Sequence, residues 1–366
     1  MKKILIAPDS FKGTLSAREA AEIIARAAKD ASAEFEPVLM PIADGGEGTV
    51  DAFGAERVEC RVTGPNGRPV NAFYGVLGDA AVIEMAAAAG LPLADPLDPR
   101  GATTYGVGEL IMRALDAGYR KFIIGLGGSA TNDCGCGMAA ACGVIFYDSE
   151  GKVFTPAGGS LSDVARIDLS GRDPRIAESE FTAMCDIDNP LYGKRGAAYV
   201  FAPQKGADAE CVAELDAGLR SIAEVIARDC GANVAEMPGA GAAGGCGAAI
   251  PAFFGGTLKR GIDVVLDVNG FDAALDEAAL VVTGEGKFDS QTAGGKAISG
   301  IAARTKKKGV PLVVLCGAAE EDESAYEMGV TAVFSVQRRA LPFEEAAPLN
   351  GPYLYRTAYN VFKLIK

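Results

Sequence analysis

Hydrophobic positions at both ends of the chain follow a strand-then-helix pattern. Residues 3–7 form a short apolar run typical of a strand, and residues 16–31 carry apolar side chains at helical spacing behind a Ser-x-x-Glu capping box. Near the C-terminus the pattern returns, with strands predicted at 279–282, 310–316 and 332–336 and a closing helix over 353–364. The pattern predicts an α/β fold of the doubly wound type.

The middle of the chain begins differently. Alternating strands over 60–83 are broken by Gly64-Pro-Asn-Gly67 and Gly78-Asp79, which is typical of hairpins. Further helices are predicted at 84–90, 104–117 and 208–229, and further strands at 37–42, 121–126 and 181–185. Because the two ends resemble each other more than the middle, we expect a discontinuous α/β domain from 1–57 plus 275–366. Residues 58–274 would form an inserted second α/β domain.

The most distinctive stretch is 122–137, an apolar strand followed by glycines, small polar residues and a compact helix predicted at 138–142. Glycines allow a ligand to approach the backbone, and small polar side chains donate hydrogen bonds. A helix start adds partial positive charge. We therefore expect this loop to hold a phosphate or carboxylate, through Gly127, Gly128, Ser129, Thr131 and Asn132. Taken alone, the loop remains compatible with a tight turn whose glycines only pack.

Other predicted strands end in similar loops. The side chains that follow them are Asp9, Ser10 and Lys12, then Asp44 and Glu47, then Asp186 and Asp188, then Glu285, Lys287 and Asp289. Ligands of doubly wound sheets bind beyond the carboxyl ends of the strands, so this repeated placement favours a site. If their strand continued, Asp186 and Asp188 would point the same way and could hold a metal or take a proton. The alternative is an Asx turn before Pro190.

Composition narrows the chemistry. The 366 residues carry a net charge of −13, which argues against a nucleic-acid partner but not against a nucleotide. The chain has no histidine, which excludes Ser-His-Asp and Cys-His catalysis and histidine metal ligands. Nine scattered cysteines indicate reduced thiols and a cytoplasmic protein. Neither a signal peptide nor an apolar run of membrane-spanning length is visible, so no membrane association is expected.

Glycines, carboxylates and lysines at strand ends suit phosphoryl transfer with Mg²⁺. The chain is not a Walker ATPase, because Gly286-Lys287 and Gly295-Lys296 lack the upstream glycine and the following Ser or Thr. Residues 125–130 are similar to a loop of the galactokinase–homoserine kinase group, but the rest of the chain does not follow that order. Residues 239–244 match G-x-G-x-x-G without a preceding strand, which favours a glycine-rich helix start over a dinucleotide fold.

Together, seven segments resemble the type I glycerate kinases, in that family's order and over nearly the whole chain. They are Ala7-Pro-Asp-Ser-Phe-Lys-Gly13, Ala43-Asp-Gly-Gly-Glu-Gly-Thr49, Gly125-Leu-Gly-Gly-Ser-Ala-Thr-Asn-Asp133, Cys185-Asp-Ile-Asp-Asn-Pro-Leu191, Pro203-Gln-Lys-Gly206, Gly239-Ala-Gly-Ala-Ala-Gly-Gly245 and Thr283-Gly-Glu-Gly-Lys-Phe-Asp-Ser-Gln291. The resemblance implies phosphorylation of D-glycerate by ATP with Mg²⁺, most often to 2-phosphoglycerate. It also implies a flavodoxin-like parallel-sheet domain from the two chain ends, an inserted α/β domain and an active site in the cleft between them.

The resemblance also implies residue roles. Asp186 would accept the proton of the attacking hydroxyl. Lys12 is the second catalytic residue and would bind the substrate carboxylate or a phosphate, together with Ser10. Substrate would be bound by Ser10, Asp44, Gly45, Glu47, Asp188 and Asn189. Nucleotide phosphates would be bound by Gly127, Gly128, Ser129, Thr131, Asn132, Gly241, Gly244, Gly245 and Lys287. The metal would be held by Glu285 and Asp289. Cys134, Cys136 and Cys246 stand where glycine or an aliphatic residue is expected. They would tune packing and could make the protein sensitive to oxidation.

Alternatives stay open at this point. One is a non-catalytic regulator that binds a sugar acid or nucleotide, against which the carboxylates Asp44, Asp186 and Glu285 argue. Another is a kinase of a different small hydroxy acid. An NAD-dependent oxidoreductase is disfavoured by the strandless glycine motif and the absence of histidine. The sequence does not decide between the 2- and 3-hydroxyl of glycerate, and a homodimer is possible.

Overall fold

A computed structural model describes residues 1–11, 13–42, 49–288, 296–319, 323–339 and 341–366. The strands in these ranges are β1 (Lys2–Ile6), β2 (Phe35–Leu39), β3 (Glu56–Thr63), β4 (Pro69–Leu77), β5 (Ala80–Glu84), β6 (Lys121–Gly125), β7 (Ile145–Tyr147), β8 (Val153–Phe154), β9 (Arg166–Asp168), β10 (Glu180–Met184), β11 (Thr257–Lys259), β12 (Ala278–Phe288), β13 (Leu312–Ala319) and β14 (Ala332–Ser335).

The helices are α1 (Ala17–Ala31), α2 (Thr49–Ala52), α3 (Met85–Ala89), α4 (Tyr105–Asp116), α5 (Cys136–Ala141), α6 (Pro174–Ala177), α7 (Ala197–Phe201), α8 (Ala209–Cys230), α9 (Ala242–Phe254), α10 (Gly261–Val268), α11 (Phe271–Leu275), α12 (Lys296–Lys308), α13 (Ser324–Met328), α14 (Phe343–Ala346) and α15 (Asn350–Leu364). The capping box predicted for the first helix is present, with Ser16 and Glu19 exchanging hydrogen bonds. In the described ranges no helix is both long and apolar enough to cross a membrane.

The chain divides into two compact units. The terminal unit comprises Met1–Asp44 and Gly261–Lys366, and the central unit comprises Gly45–Arg260. Helix α2 belongs to the central unit, where the backbone N–H of Val50 donates to the Glu84 carboxylate at 2.7 Å. Helix α10 belongs to the terminal unit, because Arg304 of α12 pairs with Asp267 at 2.7 Å.

The terminal unit is built on one parallel sheet with the order β14-β13-β12-β1-β2. Helices α1 and α15 bury their apolar residues in a common core with β1, and Phe35 packs against Phe362 with ring centroids 5.6 Å apart. Strand β12 runs well past the predicted end at residue 282, because β13 continues beside it as far as Ala319. Glu285 and Lys287 therefore lie within a paired strand, which corrects the expectation of a loop there.

The central unit holds a six-stranded sheet with the order β11-β10-β6-β5-β4-β3. The two predicted hairpins are present as the antiparallel β3-β4-β5 part, and the β5-β6-β10-β11 part is parallel. Phe122 and Phe181 stack at 4.6 Å between centroids on neighbouring strands, which anchors this sheet in its core. The turn-rich region 148–175 contributes to a small sheet with the order β8-β7-β9.

Candidate active site

Three parallel strands of the central unit end in line. In the ladder Glu84 of β5 is opposite Gly125 of β6, and Gly125 is opposite Met184 of β10. The loops after β6 and β10 therefore leave the sheet at the same edge, where ligands of parallel sheets bind. Glu84 is buried at this edge. Glu84 was not among the predicted site residues, although an acidic residue at the end of an apolar strand could have indicated this position.

The two glycine loops predicted to bind phosphate pack against each other. The backbone N–H of Cys134 donates to the carbonyl of Gly244 at 3.0 Å. A Cβ on Gly244 would lie 2.0 Å from the carbonyl oxygen of Thr131, and Gly244 has φ +66°. A Cβ on Gly245 would lie 2.9 Å from the Cα of Cys134, at φ +97°. Only glycine satisfies both the left-handed backbone and the close approach at these positions.

The segment that carries Asp186 joins the same glycine loop. The N–H of Gly241 donates to the carbonyl of Asn189 at 3.1 Å, and a Cβ on Gly241 would lie 2.4 Å from the carbonyl oxygen of Pro190. The structure thus brings together the 127–132 loop, the 241–245 loop and the 185–191 segment, three stretches far apart in the chain.

The two carboxylates of the 185–191 segment occupy different surroundings. Strand β10 ends at Met184, close to the predicted end at residue 185, so the strand does not continue through Asp186 and Asp188 and does not align their side chains. Asp186 is half-buried, whereas Asp188 is exposed and pairs with Arg195 at 3.3 Å. The side-chain amide of Asn189 donates to the carbonyl of Arg195 at 2.7 Å. Asp186 is therefore better placed than Asp188 for chemistry in a water-poor site.

Lys205 is a second residue that was absent from the predicted site, although its Pro-Gln-Lys-Gly segment was recognised. Its Nζ donates to the carbonyl of Thr131 at 2.6 Å and to the hydroxyl of Ser129 at 3.0 Å. Burial lowers the pKa of Lys205 to about 8, while Cys246 and Asp133 act in the opposite direction. No local pattern in the sequence predicts that this lysine is buried, because its burial depends on loops more than seventy residues away.

The carboxylate of Asp133 caps the start of helix α5. Its carboxylate accepts hydrogen bonds from the amides of Gly135, Gly137 and Thr104 and from the Thr104 hydroxyl. Burial raises the pKa of Asp133, and these hydrogen bonds oppose the increase. Amides at the start of α5 are therefore bound by the chain's own carboxylate, and the expectation that the 122–137 loop holds a phosphate or carboxylate stays a prediction.

The 127–132 loop also contains buried polar atoms that no group in the described part of the chain satisfies. The hydroxyl of Thr131 and both side-chain polar atoms of Asn132 are buried, and none has a hydrogen-bond partner within the described part of the chain. Buried polar groups are nearly always satisfied, so such a group calls for an explanation. A ligand with acceptor oxygens would satisfy Thr131 and the Asn132 amide nitrogen.

The terminal unit places a second set of predicted residues beside one another. The backbone N–H of Asp9 donates to the carbonyl of Gly284 at 2.8 Å, and the N–H of Ser10 donates to the Asp9 carboxylate at 2.6 Å. The loop after β1 therefore contacts β12 at Gly284, the residue that precedes Glu285. The remaining predicted residues of this region, Lys12, Asp44, Gly45, Glu47 and Asp289, fall outside the described ranges. Within those ranges, no group of three or more Cys, Asp or Glu residues could hold a metal ion.

Comparison with known proteins identifies relatives over the full length of the chain. The model of the glycerate kinase family matches residues 4–366. Glycerate kinase of Bacillus subtilis (strain 168) is 46% identical over 100% of this chain and 98% of its own length. Glycerate 2-kinase of Escherichia coli (strain K12) is 45% identical over 98% and 97%, respectively.

A solved structure is also similar. The crystal structure of a protein assigned provisionally as glycerate kinase 2, from Salmonella typhimurium LT2, superimposes with a TM-score of 0.88 at 44% identity, covering 100% of this chain and 98% of that one. Sequence identity at this level over the full length of the chain indicates common ancestry with these proteins. The chain belongs to the glycerate kinase family, a family of kinases.

Proposed function

We propose that this protein transfers the γ-phosphoryl group of ATP to D-glycerate and forms 2-phosphoglycerate. The observation that carries the proposal is the meeting of the 127–132 and 241–245 loops with the 185–191 segment at one edge of the sheet. That edge offers donors for phosphate and a half-buried carboxylate, which phosphoryl transfer to a hydroxyl requires. Full-length similarity to glycerate kinases supplies the choice of substrate.

In this mechanism Asp186 accepts the proton of the attacking hydroxyl. Its half-buried position reduces its exposure to water, which strengthens its interaction with a positioned substrate. The nucleotide phosphates are bound by Gly127, Gly128, Ser129, Thr131, Asn132, Gly241, Gly244, Gly245 and Lys287. Substrate oxygens are bound by Ser10, Lys12, Asp44, Gly45, Glu47, Asp188 and Asn189.

We propose Glu285 and Asp289 as the residues that would hold Mg²⁺. Carboxylate oxygens are ligands that Mg²⁺ prefers, and Glu285 is half-buried near the carboxyl end of β12. An Mg²⁺ ion held by these carboxylates would supply positive charge to the transferred phosphoryl group. We also propose that the terminal unit is a flavodoxin-like domain, since its strands in chain order are arranged 2-1-3-4-5 in a parallel sheet.

The proposal is tested by ADP release from Mg-ATP with D-glycerate, with the product identified by phosphorus-coupled proton NMR. Glycerate-dependent ADP formation with the phosphoryl group on the 2-oxygen is expected. A 3-phosphorylated product would correct the position, and turnover with another small hydroxy acid but not with glycerate would correct the substrate. Thermal stabilisation by glycerate without turnover would instead favour a binding protein.

A further inference from the structure

The ammonium group of Lys205 is buried, and no residue of the described ranges forms an ion pair with it. Its side chain is almost inaccessible, with 2% of its surface exposed. Its hydrogen-bond partners, the Thr131 carbonyl and the Ser129 hydroxyl, are both uncharged. In the described part of the chain, no carboxylate lies within ion-pair distance of Nζ. A buried cation in this situation is costly unless an opposite charge arrives.

The charges that face Lys205 from neighbouring elements do not neutralise it. Asp133, in the loop before α5, and the Cys246 thiol of α9 are the titratable groups that favour its charged form, and burial outweighs both. The Asp133 carboxylate already accepts hydrogen bonds from Thr104, Gly135 and Gly137. The thiol of Cys246 is fully buried and its pKa is raised by burial, so it is uncharged.

A second observation indicates where the opposite charge would come from. Thr131, whose carbonyl accepts a hydrogen bond from Lys205, carries one of the buried hydroxyls that lack a partner among the described residues. The side-chain oxygen and nitrogen of Asn132, the next residue, are also buried and lack a partner among the described residues. The Thr131 hydroxyl and the Asn132 amide can both donate to an oxyanion. One phosphate bound on this loop would provide both the missing ligand of these groups and the missing counter-charge of Lys205.

We propose that Lys205 is a positioning residue for the nucleotide phosphates. It holds the Ser129 and Thr131 ends of the loop in place, and it supplies a buried positive charge that a phosphate bound on the loop balances. The inference rests on the proposed function, because it takes a nucleotide as the ligand. It follows that phosphate binding increases the affinity of Lys205 for its proton.

Isothermal titration calorimetry with ADP at pH 8, in two buffers of different ionisation enthalpy, measures this coupling without any turnover. Because the pKa of Lys205 in the free protein is about 8, the wild type should take up about half a proton per ADP bound. The uptake should disappear at pH 6, where the lysine is already charged. Lys205→Met should abolish the uptake and weaken ADP binding at least ~10-fold, whereas Lys152→Met, at an exposed turn, should change neither.

The wild-type titration tests the inference about Lys205 even if Lys205→Met fails to fold. ADP binding without proton uptake at pH 8 overturns the inference, and so does an uptake that survives in the Met variant. Uptake on binding D-glycerate but not ADP would assign the charge to the acid's carboxylate and overturn the phosphate assignment. Absence of any ADP binding would overturn the inference and the proposed function together, whereas glycerate-dependent turnover without proton coupling would overturn only the inference.

Discussion

The carboxylate of Asp133 accepts two hydrogen bonds from Thr104, one from its backbone N–H and one from its hydroxyl, both at 2.8 Å. The same hydroxyl accepts a hydrogen bond from the backbone N–H of Met138 at 2.9 Å. All three groups are buried, so this small network connects the start of α4 to the start of α5 and fixes the end of the glycine loop between them.

Thr104→Val should lower the free energy of unfolding of the central unit by about 1–3 kcal/mol. The substitution keeps the shape but removes one of the four hydrogen bonds to the Asp133 carboxylate and leaves the Met138 amide without its hydroxyl acceptor. Urea unfolding measures the change. The matched control is Thr182→Val, at a half-buried position of β10 where a β-branched residue is favoured, which should cost less than about 0.5 kcal/mol. Equal effects of the two substitutions would show that the network contributes little.

Gly244→Ala should be much more destabilising than Gly255→Ala, at the other end of α9. Both glycines have nearly the same left-handed φ, +66° and +64°, but a Cβ on Gly255 would meet nothing within 4 Å. The control therefore measures backbone strain, about 1–2 kcal/mol. A Cβ on Gly244 would also overlap Thr131, which should bring the total to more than about 3 kcal/mol and raise the KM for ATP. Similar losses in urea unfolding would mean that the two loops separate easily.

Lys205 should make the stability of the protein depend on alkaline pH. Its pKa is about 8 in the folded chain and 10.5 ordinarily, so the unfolded chain binds more protons between these values. Stability from this group therefore rises as pH increases through that window, and the cost of burying the charge is fully present below pH 8. Comparing urea unfolding of wild type and Lys205→Met at pH 7 and pH 10 should show a change of about 2 kcal/mol in favour of wild type. A pH-independent difference would contradict the buried charge.

Asp186→Asn should lower kcat by ~10²-fold or more while leaving ADP binding and the melting temperature nearly unchanged, since a general base acts on the reaction rather than on the fold. Steady-state kinetics and calorimetry measure the two effects. Asp79→Asn, on the exposed β4–β5 turn, is the matched control and should retain full turnover. Near-normal kcat in Asp186→Asn would remove this residue from the catalytic role.

The buried cysteines should react slowly despite their number. Cys134, Cys136 and Cys246 are fully buried, and burial raises the pKa of each thiol, so the reactive thiolate is scarce. Iodoacetamide labelling followed by peptide mass spectrometry should modify half-buried Cys60 at least ~10-fold faster than these three. Labelling in urea, where all should react alike, is the control. Rapid labelling of Cys134 in the folded protein would support the oxidation sensitivity suggested by the sequence.

Local patterns in the sequence predicted the elements well where neighbouring residues decide them. The Ser16–Glu19 capping box, the two hairpins before residue 84 and the amphipathic helix α4 are present because turn residues, caps and apolar spacing act within a few positions. The observed ends of a strand differ from the predicted ones where a neighbouring strand determines how far the strand extends. Strand β12 continues through Glu285 because β13 offers hydrogen-bonding groups along that length, which no local pattern records.

The α/β character of the chain, the lack of histidine chemistry and the glycine segments that carry the family resemblance can all be inferred from the residues in chain order. How those segments meet depends on the folded chain: Gly244 packs on Thr131, the Asp133 carboxylate caps the start of α5, and the buried ammonium of Lys205 donates to the 127–132 loop. Burial and hydrogen-bond satisfaction depend on groups brought together from distant parts of the chain, whereas strand and helix tendencies depend on near neighbours.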